Sequence, residues 1–222
     1  MPSRLRIKNE FGKRAREPKS QNTKEVYIIS IAGEGKTEEQ YFDGIHDLNP
    51  SEIIKVERLE KLDERDTKSH PNYVIELLDE RKEYWEEHGI EADELWMVVD
   101  RDKQNVSEIQ LNSIIDKCNT VGYNLALSNP TFELWLLMHI SDLREYSITD
   151  LLQNEKVNKN RRFIEKEIST ILNGYNKKNL KFERFKNGIQ DAIKRSQKMQ
   201  TNNKDLIEEL GTSVCFLVEK LI

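Results

Sequence analysis

Cysteine is nearly absent from this chain: Cys118 and Cys215 are the whole complement. Two thiols cannot build a disulfide framework or a four-ligand zinc site. Both therefore read as reduced thiols in a cytoplasmic protein. Long apolar runs are missing too. None reaches 18 residues, which excludes a transmembrane helix and leaves no expected membrane partner. The first residues are basic, but no apolar segment follows them, so a secretory signal is not expected. Apolar residues make up only 36% against 34% charged, and the mean hydropathy is -0.75, which implies a small core under a heavily charged surface. What is present argues against disorder. Seven Phe, seven Tyr and three Trp in 222 residues suit one domain, or one core with an appendage.

The formal net charge of -5 conceals a segregation. Residues 1–24 carry eight Lys/Arg and two acids, a net of +6, so the remainder is -11. Residues 76–94 hold nine acids against Arg81 and Lys82. Residues 155–198 hold thirteen Lys/Arg against five acids, a net of +8. Any one such run is compatible with a solvated helix face. Two separate basic regions on an acidic protein raise the case for a phosphate-rich partner.

Residues 1–24 lack hydrophobic periodicity and read as a flexible basic arm. The β-branched run Val26–Ile31 predicts a buried strand, closed by the turn Ala32-Gly33-Glu34-Gly35. Thr37 then starts a helix, with Glu38 and Glu39 in its first turn and Tyr41, Phe42, Ile45 and Leu48 as its apolar stripe. Ile53–Val56 is a short second strand, and residues 58–70 are a polar loop. Pro71 opens a helix to about His88. Glu94–Asp100 is the clearest strand, followed by an amphipathic helix at 107–120 through Ile109, Leu111, Ile114, Ile115 and Cys118. Gly122–Leu127 is a fourth strand, and Asn129 and Pro130 are placed to cap and start an apolar helix, Phe132–Ile140. Trp96 and Trp135 fall in the core. This alternation predicts an α/β fold with a mostly parallel four-stranded sheet flanked by helices at 25–140. After 141 the strand signal stops, and 141–222 reads as a helical, basic extension.

Ligands collect beyond the C-terminal ends of the strands in an open parallel sheet. Three carboxylates fall there: Glu34 between two glycines, and Asp100 and Asp102 at the end of the third strand. Strand side chains alternate, so Asp100 and Asp102 converge if the extended geometry persists. Crowded carboxylates repel, and a hard divalent cation is the natural compensation. The string Gly33-Glu34-Gly35-Lys36-Thr37 also invites comparison with a phosphate-binding P-loop. Its end fits, but the first glycine should stand at position 30, which is Ser30, and Glu34 would oppose phosphate. A P-loop-like nucleotide hydrolase is therefore the second reading.

Glu34 after the first strand and Asp100-Arg101-Asp102 after a later one resemble the Toprim pattern. More closely, Gly33–Phe42, Val99–Asp102, Ser128–His139 and Tyr175-Asn176-Lys177-Lys178 resemble the RloB-like family of Toprim proteins over about residues 25–180. The family's later Asn-Pro is replaced here by Glu209-Leu210-Gly211-Thr212-Ser213. The resemblance implies a Toprim-like core with a helical extension, and a metal-dependent nuclease acting on DNA or RNA, tRNA included, in anti-phage defence beside an ATPase partner. It implies Glu34, Asp100 and Asp102 as the acidic set for Mg2+ or Mn2+, with Glu34 either a ligand or a general acid/base. It makes Glu133 a candidate accessory ligand, although an acid in a first helical turn is favoured by the dipole alone.

Lys36, at a helix N-terminus, is a candidate phosphate contact. Arg161, Arg162, Lys177, Lys178, Lys181, Arg184 and Lys186 could follow a nucleic-acid backbone, with Tyr175, Phe182 and Phe185 stacking bases or filling the core. His139 is either a packed histidine or a group of the site. A third reading, a non-catalytic nucleic-acid-binding or sensor module, stays open, as does self-association.

Overall fold

The computed structural model describes residues 27–33, 35–48, 54–58, 71–89, 94–101, 103, 106–159 and 161–222. The basic arm at 1–24, Glu34, most of the loop at 58–70 and Asp102 lie outside the described residues. The elements run β1 (Tyr27–Gly33), α1 (Lys36–Leu48), β2 (Ile54–Arg58), α2 (Pro71–His88), β3 (Glu94–Asp100), α3 (Glu108–Val121), β4 (Asn124–Asn129) and α4 (Phe132–Ile140). They continue with α5 (Ile148–Gln153), a hairpin of β5 (Lys156–Asn158) and β6 (Arg161–Arg162), α6 (Phe163–Ile171), α7 (Ile189–Ser196), β7 (Gly211–Thr212) and α8 (Val214–Leu221).

One sheet has the order β2-β1-β3-β4-β7. The first four strands are parallel, and β7 pairs antiparallel to β4 through Ser128↔Thr212 and Asn129↔Gly211. The expected four strands are thus corrected to five, in a mixed sheet. The expectation that strands stop at 141 is corrected as well, by β7 and by the β5–β6 hairpin.

Strand β3 explains the layering. Leu95, Met97 and Val99 pack with Val74 and Leu78 of α2 and with Leu111, Ile114 and Cys118 of α3. Trp96 and Val98 face the other way, towards Tyr41 and Phe42 of α1, α4, and the helices of the C-terminal half. Both faces are covered, so β3 reads as a continuous apolar run and not as an alternating one. Helix α4 is buried from Phe132 to His139 and is the axis of the second layer. Ile164, Ile168, Ile189, Ile193, Val214 and Leu217 close around it in the same core, each fully buried aliphatic contributing about 1.5–3 kcal/mol.

Three local expectations change. Ile109 is 83% exposed and Leu48 47%, so neither belongs to its helix's buried stripe. Helix α3 instead opens on a capping box between Ser107 and Gln110 and ends at Gly122, whose φ of 82° is the left-handed C-cap that glycine adopts without strain. Asn129 does not cap α4. Strand β4 continues through it, its amide donates to the Leu206 carbonyl at 2.8 Å, and Thr131 takes the N-cap position with Pro130 ahead of it.

Candidate functional site

Beyond the last residue of β3 the parallel ladder continues for one more step, with Arg101 N–H donating to the Ser128 carbonyl at 2.8 Å. The Arg101 side chain is buried, with Nε donating to the Ile207 carbonyl at 2.7 Å and Nη1 to the Val106 carbonyl at 2.8 Å. It pins the strand end from the α2–α3 side. Alternation therefore sends Asp100 to the opposite side, the one shared by Trp96 and Val98. There Asp100 Oδ1 accepts the Phe132 N–H at 2.7 Å. A carboxylate from a neighbouring strand thus does what the α4 N-cap residue does not, satisfying an orphan N–H at the positive end of the helix.

The next residue, Glu133, is buried, and its Oε1 accepts the Tyr175 hydroxyl at 3.4 Å. Glu38, in the first turn of α1, is buried too, with its carboxylate against Gly35: a Cβ there would stand 3.0 Å from Glu38 Oε2. Glu165, near the start of α6, accepts Lys177 Nζ at 2.9 Å and the Arg162 N–H at 3.4 Å. The segment connecting these groups is 175–180. Thr37 donates to the Lys177 carbonyl at 3.0 Å, and Gln40 both donates to the Lys178 carbonyl at 3.2 Å and accepts the Leu180 N–H at 2.6 Å. Three bonds from one helical turn thus lock the Tyr/Lys segment over the carboxylates.

The electrostatics follow from this crowding. Burial, then the charge of Glu133, pushes the Glu38 carboxyl up to about 7. Burial also raises Glu133, against the pull of Lys177. The Tyr175 phenol is raised by burial and by the charges of Glu133 and Glu165. Against the opposing effect of its own partial burial, Lys177 is held above the ordinary lysine value by the Glu165 bond and the charges of Glu133, Glu165 and Asp100. Lys177, half exposed, is thus the cation set against a crowded group of carboxyls, two of which, Glu38 and Glu133, hold their protons above the ordinary range.

Of the residues singled out from sequence, Asp100, Glu133, Tyr175 and Lys177 come together here. Glu34 and Asp102 lie outside the described residues, and among the described residues no three His, Cys, Asp or Glu side chains could hold a metal together. Lys36, Lys178 and Lys181 are exposed. Arg161 donates to Ser169 Oγ at 2.6 Å and to the Tyr175 carbonyl at 3.1 Å, Arg162 to the Asn154 carbonyl at 3.3 Å, and Arg184 to the Gly174 carbonyl at 2.7 Å. Phe182 and Phe185 are core residues and do not offer faces to bases. His139 is a packed histidine. Its Nδ1 donates to the Trp135 carbonyl at 2.8 Å, leaving Nε2 to accept the Tyr41 hydroxyl at 3.0 Å, and burial lowers it to about 4.

Sequence reasoning missed Glu38 and Glu165. Both sit in first turns, where an acid is ordinary. The available signal was the pairing of Thr37-Glu38 with Tyr175-Asn176-Lys177-Lys178 as two polar motifs competing for one place. The Glu38 carboxyl against Gly35 also fills the turn with an acceptor, which is unsuited to a phosphate cradle.

Among known families, the model of the RloB-like protein family matches residues 29–221. The chain belongs to the RloB-like family. The match runs beyond the motifs near 180 and takes in β7 and α8 of this RloB-like protein. No curated protein and no solved structure matches it. Among the described residues, no helix is long and apolar enough to cross a membrane.

Proposed function

We propose that this RloB-like protein is a Toprim-type nuclease that uses a divalent metal to cleave phosphodiester bonds in DNA or RNA, in anti-phage defence with an ATPase partner. The observation that carries the reading is the Asp100–Phe132 hydrogen bond of 2.7 Å, which draws the β3 carboxylate to the helix turn that bears Glu133. The donors are hard oxygens in a pocket where carboxyls crowd, a set that suits Mg2+ or Mn2+. Asp100 with Glu34 and Asp102 would hold the ion, with Glu133 as an accessory group. Such an ion would supply Lewis-acid chemistry, polarising a phosphodiester oxygen and stabilising charge in the transition state. Lys36, at the start of α1, attracts the phosphate, and the Thr37 and Gln40 bonds keep Lys177 facing the carboxylates. Glu34 acts either as a ligand or as the acid/base for water and the leaving hydroxyl.

The test has two arms. Cleavage of DNA, tRNA and other RNA is measured with Mg2+, with Mn2+ and with EDTA, alone and with the ATPase. Asp100→Asn is expected to lower cleavage by about 10²–10³-fold. Mn2+ binding is measured separately by calorimetry, and it should be lost in Asp100→Asn. Cleavage and Mn2+ affinity both unchanged in that variant would overturn the assignment.

A further inference from the structure

A cavity of about 780 Å³ opens beside the site, at the C-terminal end of β4. That is the size of a small-molecule pocket. Lys103, Lys156 and Arg162 line it against a single acid, Glu155, so it is net cationic. Ile148, 68% exposed, and Leu152 give it an apolar flank. Arg162 joins it to the carboxylates, because its N–H reaches Glu165 at 3.4 Å.

The wall also contains Asn129, which has no exposed surface. Its Nδ2 donates to the Leu206 carbonyl at 2.8 Å, which fixes the amide, since turning it over would set oxygen against oxygen. Oδ1 is then left without a hydrogen-bond partner. A buried acceptor in that state costs about 1–3 kcal/mol, and with no exposed surface it stands behind the wall, out of a ligand's reach. Cations and an apolar flank are the complements of a phosphate and a base face.

We propose that this cavity seats one nucleotide, its phosphate on Lys103, Lys156 and Arg162 and its base against Ile148 and Leu152. The proposal rests on the nuclease reading only in taking the substrate strand as the source of that nucleotide. Calorimetric titration of the full chain in EDTA with the four nucleoside 5′-monophosphates and with ribose 5-phosphate tests it without any cleavage.

At least one monophosphate is expected to bind about tenfold more tightly than ribose 5-phosphate. Lys156→Glu and Ile148→Asp, both at exposed positions, are each expected to weaken it by about tenfold, whereas Asp100→Asn leaves it intact. Competition by a tetranucleotide identifies the strand as the source; its failure to compete identifies a free nucleotide in the same seat. Binding no tighter than ribose 5-phosphate, or unchanged in Lys156→Glu, overturns the proposal. The two readings fail separately: cleavage without nucleotide binding removes only the cavity, and nucleotide binding without cleavage removes only the nuclease.

Discussion

Glu38→Gln is the sharpest probe of the buried acidic pocket. The carboxyl moves from 4.5 when the chain is unfolded to about 7 when it is folded, because burial and then the Glu133 charge oppose its ionisation. A raised carboxyl contributes no penalty below 4.5, where it is protonated in both states. As pH rises from 4.5 to about 7 the unfolded form ionises while the folded form keeps its proton, so stability falls across that window and levels off once the folded form ionises too. At about 1.4 kcal/mol for each unit of pKa, the loss approaches about 3 kcal/mol by pH 8. With Glu38 only 6% exposed, solvent screening removes little of it.

Glutamine keeps the shape and removes the charge. The variant should match the native protein near pH 4.5 and exceed it at pH 8 by up to about 3 kcal/mol. For a chain of this length that corresponds to about 6–12 °C in Tm. Urea denaturation of both proteins in EDTA, at several pH values from 4.5 to 8, measures the difference. Apart from Glu133, whose carboxyl the Glu38 charge also opposes, the other titrating groups are common to the two and cancel. A difference that does not grow with pH would show that Glu38 is not held in a charge-crowded, desolvated place.

His139 drives the opposite limb. Its folded value of about 4 lies below the unfolded 6.5, so its contribution is complete above pH 6.5 and is lost as pH falls towards 4; the double variant His139→Leu with Tyr41→Phe should flatten that acid limb in denaturation curves. Gly44→Ala, which in an isolated helix would stabilise by about 1 kcal/mol, should instead destabilise by about 1–3 kcal/mol, because the new Cβ would stand 2.1 Å from Phe182 Cγ; a gain in Tm would refute that contact. Neither thiol should react with a thiol reagent at pH 8 until the protein is unfolded. Both cysteines are buried, and burial holds Cys118 near 11. Fast labelling of the native chain would contradict this.

The sheet's parallel part was legible because β3 and β4 are buried on both faces and carry apolar runs bounded by turn residues. Strand β7 was not. Gly211 and Thr212 have no pattern of their own, and they become a strand only because Ser128 and Asn129, far off in sequence, offer an unpaired edge. The site divides in the same way. Asp100 and Glu133 stand where the topology of any parallel sheet gathers ligands, so position alone marks them. Glu38 and Glu165 look like routine helix-start acids until the 175–180 segment folds over them, which no local spacing announces. Arg101 lay unnoticed between two aspartates, although its buried side chain is what steers the strand end.

The β4–β7 pairing also sets an order of events during synthesis. Ser128 and Thr212 are 84 positions apart, and their hydroxyls meet at 2.8 Å. A ribosome therefore finishes the strand that flanks the carboxylates long before it makes the segment that covers that strand's open side. Until then the nascent chain carries a bare, adhesive margin next to an unfinished acidic pocket. If this protein cuts nucleic acid, the cell that makes it is shielded by chronology, for the framework closes only when almost everything described here has been translated.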